Sequence, residues 1–186
     1  MARPREFDRA TALEQAMAVF WERGGFDRTS ISELTSAMGI SSPSLYGAFG
    51  GKQSLFDEVV ASYAERPSAP VAQSITAATA REVVEKMLDA AVQDYTSDEH
   101  PPGCLINADP LLGARRDEGR AVIADRLRHA ESTGDLPGDD DPDDLAEFLV
   151  VLLNGLAARA RDGVPRERLR AVADIALRAW PEAGPA

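Results

Sequence analysis

The chain holds a single cysteine, Cys104, so no disulfide can close within it. That excludes a disulfide-stapled secreted scaffold and points to a reducing compartment. The first residues, Met1 to Asp8, are charged and lack the apolar stretch of a signal peptide. The longest strongly apolar run, Phe148 to Leu153, is far short of the roughly 20 residues that a membrane span needs. A cytoplasmic protein with no membrane contact is expected. No segment alternates like a strand, and no repeat or low-complexity tract is present. The apparatus of catalysis is missing as well. His100 and His129 have no companion cysteine pair and no HExxH spacing, so no zinc site is readable. Gly50-Gly51-Lys52 hints at a phosphate-binding loop, but Tyr46 and Gln53 stand where that motif needs glycine and a hydroxyl residue. The acidic run from Asp139 hints at a calcium loop, but Asp144 and Val150 occupy its glycine and glutamate positions. No catalytic triad is visible, so neither an enzyme nor a metal or cofactor is expected.

Net positive charge is lacking too. The formal charge is −11, which at first argues against a nucleic-acid partner, but it is unevenly spread. Residues 1–52 carry six basic and six acidic side chains, while residues 53–186 carry 14 and 25. A polyanion meets no long-range repulsion only at the N-terminal end.

What the 186 residues do contain is helix. Leu13, Ala16, Met17, Phe20 and Trp21 fall at the spacing of one buried helical face, which Gly24-Gly25 ends. Ser30-Ile31-Ser32-Glu33 is a capping box opening a second helix, and Gly39 ends it. Ser41 or Ser42 caps a third, with Pro43 in its first turn and Gly50-Gly51 at its end. A fourth runs from Lys52 to Glu65, before the linker-like Arg66-Pro67-Ser68-Ala69-Pro70. Further helices are expected near 79–95, 114–131 and 142–160, then from Val164-Pro165 to Trp180, with a short one within 104–112. The fold class is all-α, with about nine helices.

The two short helices joined at Gly39 make a helix-turn-helix, a unit whose second helix enters the major groove of DNA with its N-terminal residues facing base edges. Taken alone this is a weak signal, and an ordinary bundle corner is the commoner reading. The fuller string is more specific. It comprises Ala16-Met17-Ala18-Val19-Phe20, Gly25-Phe26, Thr29-Ser30-Ile31, Leu34 and Ala37-Met38-Gly39-Ile40-Ser41. Ser44-Leu45-Tyr46, Phe49, Lys52 and Leu55-Phe56 complete it. In these residues the chain resembles the DNA-binding domain of the tetracycline-repressor (TetR) family of bacterial transcriptional regulators.

The resemblance implies a helix-turn-helix DNA-binding domain over 1–52 and a helical effector-binding and dimerisation domain over 53–186. Thr29, Ser30, Tyr46 and Lys52 would meet phosphates, contacts that position a protein without reading sequence. Ser42, Pro43, Ser44 and Gly47 would lie at the bases, Ser41 would belong to the same DNA-binding set, and Arg3 and Arg5 would form a basic arm. No Arg, Asn or Gln stands in this stretch for bidentate base contacts, so serine hydroxyls, apolar contact with thymine methyls, water and DNA shape would carry specificity.

Met87, Tyr95, Cys104, Leu105, Leu111 and Ile123 would line a pocket for a small-molecule effector of apolar or aromatic character. Cys104 follows Pro101-Pro102-Gly103, where a nearby helix N-terminus would make a thiol more reactive, but the favoured reading is an inert, buried small hydrophobe. Leu145, Phe148, Leu149, Leu152, Gly155 and Leu156, with Leu169, Val172, Ala176 and Trp180, would form the homodimer interface. The function implied is a ligand-responsive repressor on a palindromic double-stranded DNA operator. The alternative is an all-α small-molecule-binding or protein-interaction module whose helix-turn-helix is not functional.

Overall fold

A computed structural model describes residues 7–66, 69–137 and 140–181. Its described residues form ten α-helices and one 3-10 turn, with no strand. They fall into two compact units, residues 1–66 and 67–186.

The first unit holds α1 (Arg9–Arg23), α2 (Ile31–Met38), α3 (Ser42–Phe49) and α4 (Lys52–Ala64). Local chemistry sets each end. Asp8 caps α1 by accepting the Ala10 N–H, and Gly24 closes it in the left-handed region at φ 80°. Gly39, at φ 63°, and Gly50, at φ 78°, end α2 and α3 the same way. Ala12, Ala16, Phe20 and Trp21 are the buried residues of α1, a stripe turned slightly from the expected one, leaving Leu13 and Met17 half-buried. Phe20 meets Phe56 edge-on at 4.9 Å and Trp21 meets Tyr63 edge-on at 4.9 Å. Through Leu55, Phe56, Val59, Val60 and Tyr63, all buried, α4 is part of this core. The compact unit runs on to Arg66, because the apolar face of α4 has its partners on α1.

The second unit holds α5 (Pro70–Ser74), α6 (Ala80–Tyr95), α7 (Leu105–Ala108), a 3-10 turn (Pro110–Leu112), α8 (Gly113–Ser132), α9 (Pro142–Arg161) and α10 (Arg166–Arg178). The short α5 was not expected: Pro70 suits a helix's first turn, and the Ser74 hydroxyl donates back to the Pro70 and Val71 carbonyls. Val83, Val84, Met87 and Leu88 of α6, Ile123 and Leu127 of α8, and Leu149, Leu153 and Leu156 of α9 form the core.

Polar ties fix the helices lengthwise. Arg170 pairs with Asp89, and Arg166 donates to the Thr96 hydroxyl and carbonyl, holding α10 to α6. Arg120 and Arg128 of α8 both bond Asp143 in the first turn of α9. The Arg128 hydrogen bond, ahead of the charges of Arg128 and Arg120, holds the Asp143 carboxyl below the usual range. Gly103, at φ 85°, lies so close to α9 that a Cβ there would sit 2.7 Å from the Ala157 carbonyl oxygen. No helix among the described residues is long and apolar enough to cross a membrane.

Candidate nucleic-acid interface

The segment α2–Gly39–α3 is a helix-turn-helix. The turn closes through the Ile40 N–H to the Thr35 carbonyl at 3.1 Å. Leu34 and Met38 of α2 and Leu45 and Phe49 of α3 are buried and hold the two helices on the scaffold. The remaining face of α3 points outward. Ser42, Pro43, Tyr46 and Gly47 are exposed, and Ala48 is half-buried. Nothing lies within 4 Å of where a Cβ on Gly47 would stand.

The serines at the start of α3 are partly committed. Ser41 accepts the Ser44 N–H as N-cap, and the two hydroxyls share a hydrogen bond of 2.9 Å. Ser42 is the exposed hydroxyl left unengaged among the described contacts.

Three expected phosphate contacts fare differently. Thr29 is 2% exposed and its hydroxyl donates to the Gly25 carbonyl at 2.9 Å. It stabilises the turn after α1, with its hydroxyl proton committed there. Ser30 is exposed, but its side chain accepts the Glu33 N–H and donates to the Glu33 carboxylate. Lys52 is half-buried, with Nζ 4.0 Å from the Phe26 ring centroid, which places its charge at the start of α4 on an aromatic platform. Arg3 and Arg5 lie outside the described residues. Two further arginines belong to this unit. Arg28 is exposed ahead of α2 and makes no hydrogen bond or ion pair among the described residues. Arg9 reaches the end of α3.

Glu33 shapes the local field. The Ser30 N–H, then the Ser30 hydroxyl, and then the charges of Arg23 and Lys52 hold its carboxyl below the usual range. Arg23 lies 2.8 Å away. A depressed folded-state value means that this contribution to stability is complete above the unfolded-chain value of about 4.3 and is lost as pH falls through the lowered one. Glu33→Gln, which keeps the capping geometry, is expected to flatten the acid side of the stability curve, read from melting temperature against pH between neutral and about pH 3.

In the second unit, Met87, Tyr95, Cys104, Leu105 and Ile123 are packed into the core, and Leu111 is 59% exposed. Leu111 therefore lines no interior pocket; the 3-10 turn holds Leu112 inward in its place. Two neighbouring clefts of about 210 and 220 Å³ share Gln73, Ala90 and Gln93, and their other lining residues are mostly polar. None of the six expected pocket residues is among them.

The expected interface residues divide. Leu149, Leu156, Leu169 and Trp180 are at most 3% exposed in the single chain and Ala176 is 8%. Most of their surface is already covered within the chain, which leaves a second copy little of them to touch. Phe148 (43%), Val172 (44%) and Gly155 are exposed, and Leu145 and Leu152 are half-buried. Val151 (61%) and Ile175 (59%) join them on the outer face.

These features agree with known proteins. A family profile described as "Bacterial regulatory proteins, tetR family" matches residues 12–59. The HTH-type transcriptional repressor ComR of Escherichia coli K12 is 33% identical over 202 aligned positions, covering 97% of this chain and 92% of ComR. The HTH-type transcriptional repressor BdcR of the same strain is 32% identical over 181, covering 94% and 89%. A solved structure of a cysteine-substituted TetR family regulator CifR, complexed with 26-bp double-strand operator DNA, is 44% identical with a TM-score of 0.88. It covers 96% of this chain and 100% of that one. With near-complete coverage at these identities, the chain belongs to the TetR family of bacterial regulatory proteins.

Proposed function

We propose that this protein is a transcriptional repressor that binds a palindromic double-stranded operator as a homodimer and lets go when a small molecule binds its second unit. The observation that carries this reading is the outward face of α3, with Ser42, Pro43, Tyr46 and Gly47 exposed over the buried anchors Leu45 and Phe49. The operator complex of CifR supports it, as do the names of ComR and BdcR. The protein acts as a binding switch and not as an enzyme, and it works where the operator is, in the bacterial cytoplasm. Two copies would present two α3 helices, one per half-site, about one helical turn of DNA apart or a multiple of it. The effector releases DNA only as far as it binds the two states of the protein differently.

With no Arg, Asn or Gln on α3, recognition rests on close backbone approach, hydroxyls and DNA shape. Gly47 is the position where this is most exposed to test. Gly47→Ala meets open space in the subunit and is expected to raise folding stability by about 0.5–1 kcal/mol. The same change is expected to weaken operator binding by holding the helix off the groove. Thermal melting and fluorescence anisotropy on one preparation read both signs.

The function itself is tested by selecting genomic fragments bound by the purified protein at low salt. A shared palindrome among the enriched fragments is the expected result. No enrichment would favour the alternative, a helical module with an idle helix-turn-helix.

A further inference from the structure

Among the four helices of the first unit, α3, like α2, is held by few buried side chains. It has eight residues and buries only Leu45 and Phe49. The Arg9 side chain of α1 supplies what those two do not. Its guanidinium carbon lies 4.5 Å from the Phe49 ring centroid. Its Nε donates to the Ala48 carbonyl at 3.5 Å, one of the carbonyls at the C-terminal end of α3 that no intrahelical N–H satisfies. Its Nη2 donates to both Glu58 carboxylate oxygens, at 2.8 and 2.7 Å, on α4. One planar group thus ties α1, α3 and α4 together.

Two features argue against simpler roles. Arg9 and Glu58 are 51% and 37% exposed, and an ion pair in that setting contributes little to stability. A guanidinium already engaged by a carboxylate is also not an available charge for a phosphate. Resting on the reading of this unit as a DNA-binding domain, we propose that Arg9, aimed by Glu58, is a positioning residue. It fixes the rotation of the recognition helix through Phe49 and Ala48 and so sets operator affinity without touching DNA.

The sign of one substitution separates this role from a direct phosphate contact. Glu58→Gln removes a negative charge and frees Arg9, so an Arg9 that met phosphate would bind DNA more tightly. A positioning Arg9 loses its aim and binds less tightly. The expected results are about tenfold weaker operator binding for Glu58→Gln and for Arg9→Lys, which keeps the charge but loses the fork. The double variant is no weaker than either, the slope of affinity against salt is unchanged, and the melting temperature stays near that of the parent. Operator binding by Glu58→Gln that matches or exceeds the parent's would overturn the proposal. So would a salt slope shallower by about one phosphate for Arg9→Ala. If the unaltered protein binds no DNA, the parent reading fails; if it binds and all variants match it, the clamp alone fails.

Discussion

Alanine at both Tyr46 and Lys52 is expected to weaken DNA binding by a hundredfold or more while leaving the protein folded. Tyr46 is 53% exposed, and its phenol has no hydrogen-bond partner among the described residues. Its ring rests beside Gly51, whose Cβ, if it had one, would lie 3.4 Å from Cε1, so the side chain is aimed without being buried. Lys52 opens α4, where the N-cap Gly51 offers no side-chain hydrogen bond, and its ammonium stands over Phe26. Each would donate one hydrogen bond to a charged phosphate, worth about 1.5–3 kcal/mol, or roughly tenfold to a hundredfold in affinity.

The loss is expected to fall equally on operator and unrelated duplex, because phosphate contacts carry no sequence. Lys52→Ala by itself makes the dependence of log affinity on log salt shallower by about 0.9. Little stability is at stake, since the Lys52–Phe26 contact is worth about 0.5–1 kcal/mol at an exposed site. Anisotropy titrations at several salt concentrations, with both duplexes, measure all of this. A double variant that binds as the parent does would remove α3 and the start of α4 from the interface.

How much was legible in the sequence follows from the range of the forces involved. The ends of α1, α2 and α3 could be read because they are set within four residues, by Ser30 with Glu33 and by glycines at positive φ. Thr29 could not. Whether its hydroxyl faces solvent or the Gly25 carbonyl depends on how the turn after α1 folds back, and no spacing encodes that. The extent of the first compact unit is hidden for a similar reason. Lys52 marks a start in the chain, yet the apolar face of α4 chooses its partners on α1, about forty residues earlier in the chain. In the second unit, apolar periodicity identified buried helix faces but not what they bury against. Met87 and Ile123 at core spacing look the same whether they fill space or line a cavity. Arg9 and Glu58 are 49 residues apart, and their pairing has no signature in either neighbourhood.

The expected dimer interface poses the same ambiguity, and it carries the second large prediction. α9 is apolar around most of its circumference, so the sequence alone cannot say which leucines face the chain's own core. In the folded subunit Leu149 and Leu156 take that side, and Phe148, Val151 and Gly155 take the other. α10 divides likewise, with Leu169 and Ala173 inward and Val172 and Ile175 outward. Four of the seven large hydrophobic side chains exposed among the described residues lie on these two outer faces. Covering such a side chain contributes about 1.5–3 kcal/mol when complete, and a two-fold axis repeats each contribution. Gly155 is exposed with open space around it, which lets a second copy approach closely.

A glutamate at Val151 or Ile175 would therefore bury a carboxylate opposite apolar surface twice in each dimer, at a cost that exceeds what the neighbouring contacts return. Val151→Glu with Ile175→Glu is expected to give a monomer at micromolar concentration by sedimentation velocity. The helical circular-dichroism spectrum is expected to be unchanged, since both side chains are already in solvent within the subunit. Operator binding is expected to drop to the level of a single half-site. A variant that still sediments as a dimer would move the interface away from α9 and α10.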